Sequence, residues 1–292
     1  MQRSLEMKSS RRRHLAALGL GALALAIVFA LTITVSSDVR LMYASGALLL
    51  FMSAIWLGRH PDADWVDALL LCVPMFAVFI YSVLDTMPLL WPHLLLWSVA
   101  TGIGFGFLKV VHGKSGLVVG LVIVLLASSI WYCGWYVPHR LARAFSHFRD
   151  TSAPGFMLQS VGDRSAVLAP KPGKILVIDF FSTTCVPCIA ELPELSAVRA
   201  ELSENRDIDF VLVASDRGND TPERFRSFAK KRHITIPLAF DPEAKVHASF
   251  GFKGIPALAV LDRTGRVRLT REGYNPAETN FRRDLVQFLK SL

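Results

Sequence analysis

Charge is scarce in this chain. Only 19% of its 292 residues are Asp, Glu, Lys or Arg, against about 25% in an ordinary soluble domain. Hydrophobic residues make up 52% and the mean hydropathy is +0.40, which argues against a wholly soluble protein. Cysteine is also sparse. Four in a chain of this length are too few for a disulfide scaffold. No collagen or heptad period is sustained, and the apolar content is too high for disorder. The formal charge of +8 spreads over both halves, whereas a nucleic-acid binder concentrates its basic residues in a patch.

What is present is unevenly placed. Residues 1–137 hold 9 basic and 6 acidic side chains; the rest of the chain holds 23 and 18. A membrane span needs roughly 20 apolar residues. Five stretches meet that pattern: 15–35, about 41–58, about 66–84, about 89–108 and 116–137. Asp67 stands at the edge of the third. Short polar breaks at 36–40, 59–65, 85–88 and 109–115 separate them. Pro74 and Pro92 fall inside spans, where neighbouring helices can satisfy the freed backbone groups.

Lys/Arg bias sets orientation. With a cytoplasmic N-terminus, Arg3, Lys8, Arg11, Arg12, Arg13, Arg59, Lys109 and Lys114 face inward and only Arg40 faces outward. Five spans then place the C-terminal half outside a bacterial cytoplasmic membrane. Arg140, Arg143 and Arg149 run against that bias. The basic start and first apolar run also read as a signal peptide, and Ser10-Arg11-Arg12-Arg13-His14-Leu15 resembles a twin-arginine signal. Cleavage there would leave the C-terminal half on the same side.

Polar groups inside the spans have two readings each. His93 is a haem or proton-relay candidate, or an interfacial histidine beside Trp91 and Trp97. Cys72 and Cys133 form a redox pair only if their Cα atoms come within about 7 Å. Their depths in spans three and five put them further apart, so small buried thiols fit better. Residues 138–152 are expected to link the halves. Leu141, Phe145 and Phe148 share one side, giving a short amphipathic interfacial helix or a continuation of the fifth span.

From 153 onward, strand and helix signals alternate. Ile175–Phe181 and Ile208–Ala214 read as buried strands, with shorter strands at 236–240, Ala257–Leu261 and 267–270. Helices are expected over 189–205, from Thr221-Pro222-Glu223 to about 232, from Asp241-Pro242-Glu243 to about 250, and from Asn275-Pro276 to about 289. Asp262-Arg263-Thr264-Gly265 reads as a hairpin turn. This pattern defines a mixed α/β sheet.

Cys185-Val186-Pro187-Cys188 is the chemical centre of that half. Cys185 would open a helix, where backbone N–H groups and the helix dipole favour a thiolate. Cys188, one turn on, can attack a mixed disulfide formed at Cys185. A closed zinc site needs two more ligands. No other cysteine lies in this half, and His233 and His247 are spaced too widely for a paired ligand motif, so no metal is expected.

At these residues the chain resembles the thioredoxin superfamily, and within it the membrane-anchored TlpA/ResA-like thiol-disulfide oxidoreductases. The resemblance covers 153–292. Ala153-Pro154-Gly155-Phe156 is similar to the family's A-P-x-F opening. Val177-Ile178-Asp179-Phe180-Phe181 precedes the cysteines as the family's central strand does, with Asp179 where thioredoxins carry a buried acid. Glu191-Leu192-Pro193 resembles the E-x-P after C-x-P-C, and Pro193 the kink proline of the active-site helix. Gly254-Ile255-Pro256-Ala257 resembles the G-I-P-T loop with a cis-proline facing the disulfide. Asp262-Arg263-Thr264-Gly265 resembles the family's D-x-x-G hairpin. The family usually has Trp before the first cysteine; here Thr184 stands there, a departure shared with MauD-like proteins that bears on tuning and substrate.

The apolar runs give an α-helical transmembrane bundle (1–137) and a juxtamembrane linker (138–152); the resemblance implies a thioredoxin-like domain (153–292). It implies Cys185 as nucleophile, Cys188 as resolving thiol and a redox-active disulfide between them. Asp179 and Glu191 become acids serving the pair; the alternatives are a solvated strand-end acid and an exposed helix residue. Ile255 and Pro256 become the substrate-binding loop. The implied activity is protein disulfide reduction outside the cytoplasm, as in cytochrome c maturation. It needs no cofactor, and a DsbD/CcdA-type membrane donor would supply electrons. The competing functions are an oxidising or quinone-linked enzyme, a peroxiredoxin, and a copper metallochaperone or assembly factor. The peroxiredoxin pattern is absent, since Ile178 and Ser182 occupy its positions.

Overall fold

The computed structural model describes residues 2–85, 90–111, 115–161 and 167–292. They form two compact units, 1–140 and 141–292.

The apolar stretches of the first unit form helices α1 (Gln2–Thr34), α2 (Val39–Gly58), α3 (Trp65–Asp85), α4 (Pro92–Val111) and α5 (Ser115–Trp131). Asp38 starts α2 by accepting a hydrogen bond from the Arg40 amide at 2.8 Å. Among the described residues, Ser9–Thr34, Val39–Gly58 and Val119–Phe145 are long and apolar enough to cross a membrane, and Trp65–Tyr81 is a shorter apolar helix. Of the expected breaks at 85–88 and 109–115, residues 86–88 and 112–114 lie outside the described residues, while α4 runs on to Val111.

Small residues let these helices approach closely. A Cβ on Gly58 would stand 2.6 Å from the Phe105 carbonyl oxygen, and one on Gly104 would stand 2.5 Å from that of Phe51. Asp67, in the first turn of α3, is fully buried, 2.8 Å from His14 Nδ1 and 3.7 Å from Arg13 Nε. His93 is 1% exposed and stacks on Tyr43 with ring centroids 4.4 Å apart, while Trp91 stays half exposed. Cys72 and Cys133 are both free thiols.

A π-helical turn, Tyr132–Tyr136, joins α5 to α6 (Val137–Phe145). The stretch 138–152 is therefore not one amphipathic helix. Its helical part ends at Phe145, and Ser146–Ser152 forms strand β1. β1 pairs antiparallel with β8 (Arg266–Glu272) and forms the edge of the sheet. The expected start of the redox half at 153 moves back accordingly.

The second unit is one eight-stranded sheet in the order β1-β8-β7-β4-β5-β6-β2-β3. Its other strands are β2 (Leu158–Ser160), β3 (Val167–Leu168), β4 (Ile175–Phe181), β5 (Ile208–Ala214), β6 (Leu238–Phe240) and β7 (Ala257–Leu261). β4 is central, parallel to β5 and antiparallel to β7, and buried throughout, as an apolar run broken only by Asp179 leads one to expect. On one face Val177, Phe181, Leu258 and Leu269 pack with residues of α7 (Val186–Glu201), α8 (Pro222–Lys231) and α10 (Phe281–Lys290). On the other face Ile178, Phe180 and Ala259 pack with Val246 of α9 (Lys245–Ser249).

Two helix starts differ from expectation. Asp241 does cap a helix, accepting from the Val246 and His247 amides, but one turn later than its proline indicates. Glu243 and Ala244 take left-handed conformations in between. The last helix begins at Phe281 rather than Pro276. Asn275 accepts from the Ala277 amide in a turn, and that turn carries Glu278 into the interior. Ile236 precedes its strand rather than joining it.

Candidate active site

The apolar β4 delivers the chain to Ser182-Thr183-Thr184 at its C-terminal end. There Thr183 donates to the buried Asp220 through its amide at 2.9 Å and through its hydroxyl. Ser182 and Thr184 share a hydroxyl–hydroxyl hydrogen bond of 3.1 Å. Hydroxyl groups thus pin the turn where the resembling family carries tryptophan.

Cys185 is the N-cap of α7, and its Sγ accepts from the Cys188 amide at 3.2 Å. A helix N-terminus with a donor aimed at sulfur stabilises the anionic form of that atom. Cys185 is half-buried, while Cys188 is 1% exposed. The two are joined as a disulfide with Cα atoms 5.2 Å apart. Pro187 sits in the first turn, where no N–H is needed, and Pro193 lies within the helix.

The Ile255–Pro256 peptide is cis, and the Ile255 carbonyl oxygen lies 3.8 Å from Cys185 Sγ. Glu272 holds the preceding loop by accepting from the Lys253 and Gly254 amides at 2.9 and 2.7 Å. His247 Nε2 donates to the Gly254 carbonyl at 3.0 Å. Beside this loop opens a groove of about 240 Å³, lined by Phe180, Phe252, His247, Arg217, Lys253 and Ile255.

Asp179 and Glu191 are each 2% exposed, and Asp179 Oδ1 and Glu191 Oε2 have no hydrogen-bond partner. Burial pushes the Asp179 carboxyl well above the ordinary carboxylate range. Glu191 is raised by burial and then by the charge of Asp179, against the opposing pull of Arg271. The structure brings Cys185, Cys188 and Ile255 of the cis-proline loop together beyond the end of β4, and sets Asp179, two residues inside that strand, against Glu191 of α7 in the interior. Sequence reasoning missed Asp220, Glu272 and the buried Arg271–Glu278 ion pair, whose oxygens lie 2.7 and 2.6 Å from Arg271 Nη2. Asp220 directly precedes the Thr221 cap; the other two carry no local signal. Among the described residues, no cluster of three His, Cys, Asp or Glu side chains could hold a metal ion.

A mixed α/β sheet that presents a C-x-x-C at a helix N-terminus against a cis-proline loop defines a thioredoxin-like redox domain. The family model described as Redoxin matches residues 149–285. Over 146 residues the chain is 23% identical to the thioredoxin-like protein YneN of Bacillus subtilis (strain 168), covering 50% of this chain and 84% of that one. Over 142 residues it is 24% identical to the thiol-disulfide oxidoreductase ResA of Geobacillus thermodenitrificans (strain NG80-2), covering 49% and 76%. A putative thiol:disulfide interchange protein DsbE from Chlorobium tepidum superimposes with a TM-score of 0.43 at 24% identity, over 48% of this chain and 96% of that one. Residues 149–285 thus match the Redoxin family model, and the C-terminal unit is similar to thioredoxin-like thiol-disulfide oxidoreductases.

Proposed function

We propose that the chain is a membrane-anchored protein disulfide reductase whose redox domain works on the outer face of a bacterial cytoplasmic membrane. Residues 1–137 form a five-span anchor, and the Lys/Arg bias of its loops supports the orientation. The observation that carries the reading is the asymmetry of the dithiol: Cys185 is accessible and supported as a thiolate, and Cys188 is buried behind it.

In the reduced enzyme the Cys185 thiolate attacks a substrate disulfide and releases one substrate thiolate. Cys188 then attacks Cys185 Sγ in the mixed disulfide. The second substrate thiolate leaves and the Cys185–Cys188 bond forms, so two electrons have passed to the substrate. The Cys188 proton passes to the Asp179–Glu191 pair through water. The Ile255-Pro256 loop holds the substrate's extended chain, with the adjoining groove available to one of its side chains. A membrane thiol donor of the DsbD/CcdA type restores the dithiol, since the two remaining cysteines are single free thiols. Substrates awaiting metallation, such as apocytochromes c, fit this role.

The test is acid trapping and mass-tag alkylation in cells carrying Cys72→Ser/Cys133→Ser. A mostly reduced Cys185–Cys188 pair, together with mixed disulfides accumulating on Cys185 in Cys188→Ser, is the expected result. A pair that stays oxidised and becomes reduced only when the medium is made reducing would overturn the direction assigned here. Tight copper lost on mutating either cysteine would favour a metallochaperone.

A further inference from the structure

Strand register places an unused buried cation two strands from Asp179, on the sheet face that carries the acid pair. Asp179 of β4 is opposite Leu258 of β7, Leu258 is opposite Arg271 of β8, and Arg271 is opposite Ser146 of β1. Cross-strand partners point to the same face, so one row runs from Asp179 to Ser146 across four strands. Leu258 belongs to the core beneath α7, the helix that carries Glu191 and Cys188. Arg271 is 6% exposed and Glu278 is 3% exposed. The guanidinium donates two hydrogen bonds from Nη2 to Glu278 and one from Nη1 to Ser146 Oγ, and it lies over the Phe281 ring at 4.8 Å. Its Nε–H is left without a partner, as are Asp179 Oδ1 and Glu191 Oε2.

We propose that the Arg271–Glu278 pair is a positioning element of the redox site, supplying the fixed positive charge that sets how readily the Asp179–Glu191 pair accepts the Cys188 proton. This rests on the role given above to the acid pair. A buried ion pair is weak evidence for stability, because desolvation offsets much of its attraction. Its place in the row gives it a chemical use. Two buried carboxyls close together cannot both ionise freely, and a neighbouring guanidinium eases the loss of one proton. The groups acting on Glu191 are Asp179 from β4, Arg271 from β8 and Glu278 from the turn after it. Glu194 of α7 and Tyr274 lie at the margin, and Asp284 of α10 acts on Glu278. Among the described residues Arg271 is the cation in this set.

The test is the reduction potential of the Cys185–Cys188 couple in the full chain in detergent, followed over roughly pH 5 to 9, where the plot bends as linked groups take up protons. Glu278→Gln leaves Arg271 charged beside a neutral side chain that still accepts a hydrogen bond. The bend is expected to move down by about half a pH unit or more. Arg271→Gln/Glu278→Gln removes both charges, and the bend is expected above that of Glu278→Gln. Arg271→Lys keeps both charges and is expected to leave the bend in place even where thermal stability falls. An unmoved bend in Glu278→Gln overturns the inference, as does a double-variant bend at or below that of Glu278→Gln. If Glu191→Gln leaves the bend untouched, the role of the acid pair fails instead, and the two failures are distinguishable.

Discussion

Asp179 shows what a single residue does to this molecule's pH dependence. Its folded-state carboxyl titrates well above the ordinary range because it is buried. The folded chain therefore keeps a proton that the unfolded chain releases. Stability is full below the ordinary carboxylate range and declines as pH rises toward the folded value. Asp179→Asn removes that dependence, so the variant gains on the parent by about 1.4 kcal/mol per pH unit across the interval. Urea unfolding at several pH values checks this, and parallel curves for the two proteins would rule it out. The site was legible where its chemistry is local. The C-x-x-C, the acid six residues before it and the proline loop all lie in short segments. Arg271–Glu278 was not legible. Arg271 stands two residues after Leu269, on the face of β8 that packs into the core, and its partner arrives only through an irregular turn.

Elements were legible where apolar period decides them, and less so where tertiary pairing does. The helices of the first unit and the central strands follow their runs. β1 did not, because nothing in Ser146–Ser152 reads as a strand until the edge of β8 is there to pair with it. The α2–α4 contact makes a sharper claim. Gly58 and Gly104 each face a backbone carbonyl of the other helix, and backbone cannot turn aside as a side chain can. Gly104→Leu is expected to cost the bundle about 1–3 kcal/mol or more through overpacking. Gly102→Leu, where a Cβ meets nothing within 4 Å, is the control. Thermal unfolding in detergent separates the two, and equal midpoints would refute close packing at Gly104.

For the whole molecule, composition alone divided an apolar half from a globular one, and the two compact units meet at residues 140–141. The sheet of the second unit begins at Ser146, ahead of the expected domain start at 153, and this has a physical consequence. β1 covers the outer rim of β8 over five paired positions. A fragment starting at Ala153 would leave that rim's N–H and C=O groups bare, as a template for another chain. Such a fragment is expected to self-associate in size-exclusion chromatography, while one starting at Ser146 stays monomeric. Monomeric behaviour of both would show the rim to be harmless. Proteolysis between Phe145 and Ala153 would thus do more than separate the two units: it would strip the short edge strand that carries His147, Arg149 and Asp150 and leave β8 as the open edge, so that release and aggregation become a single event.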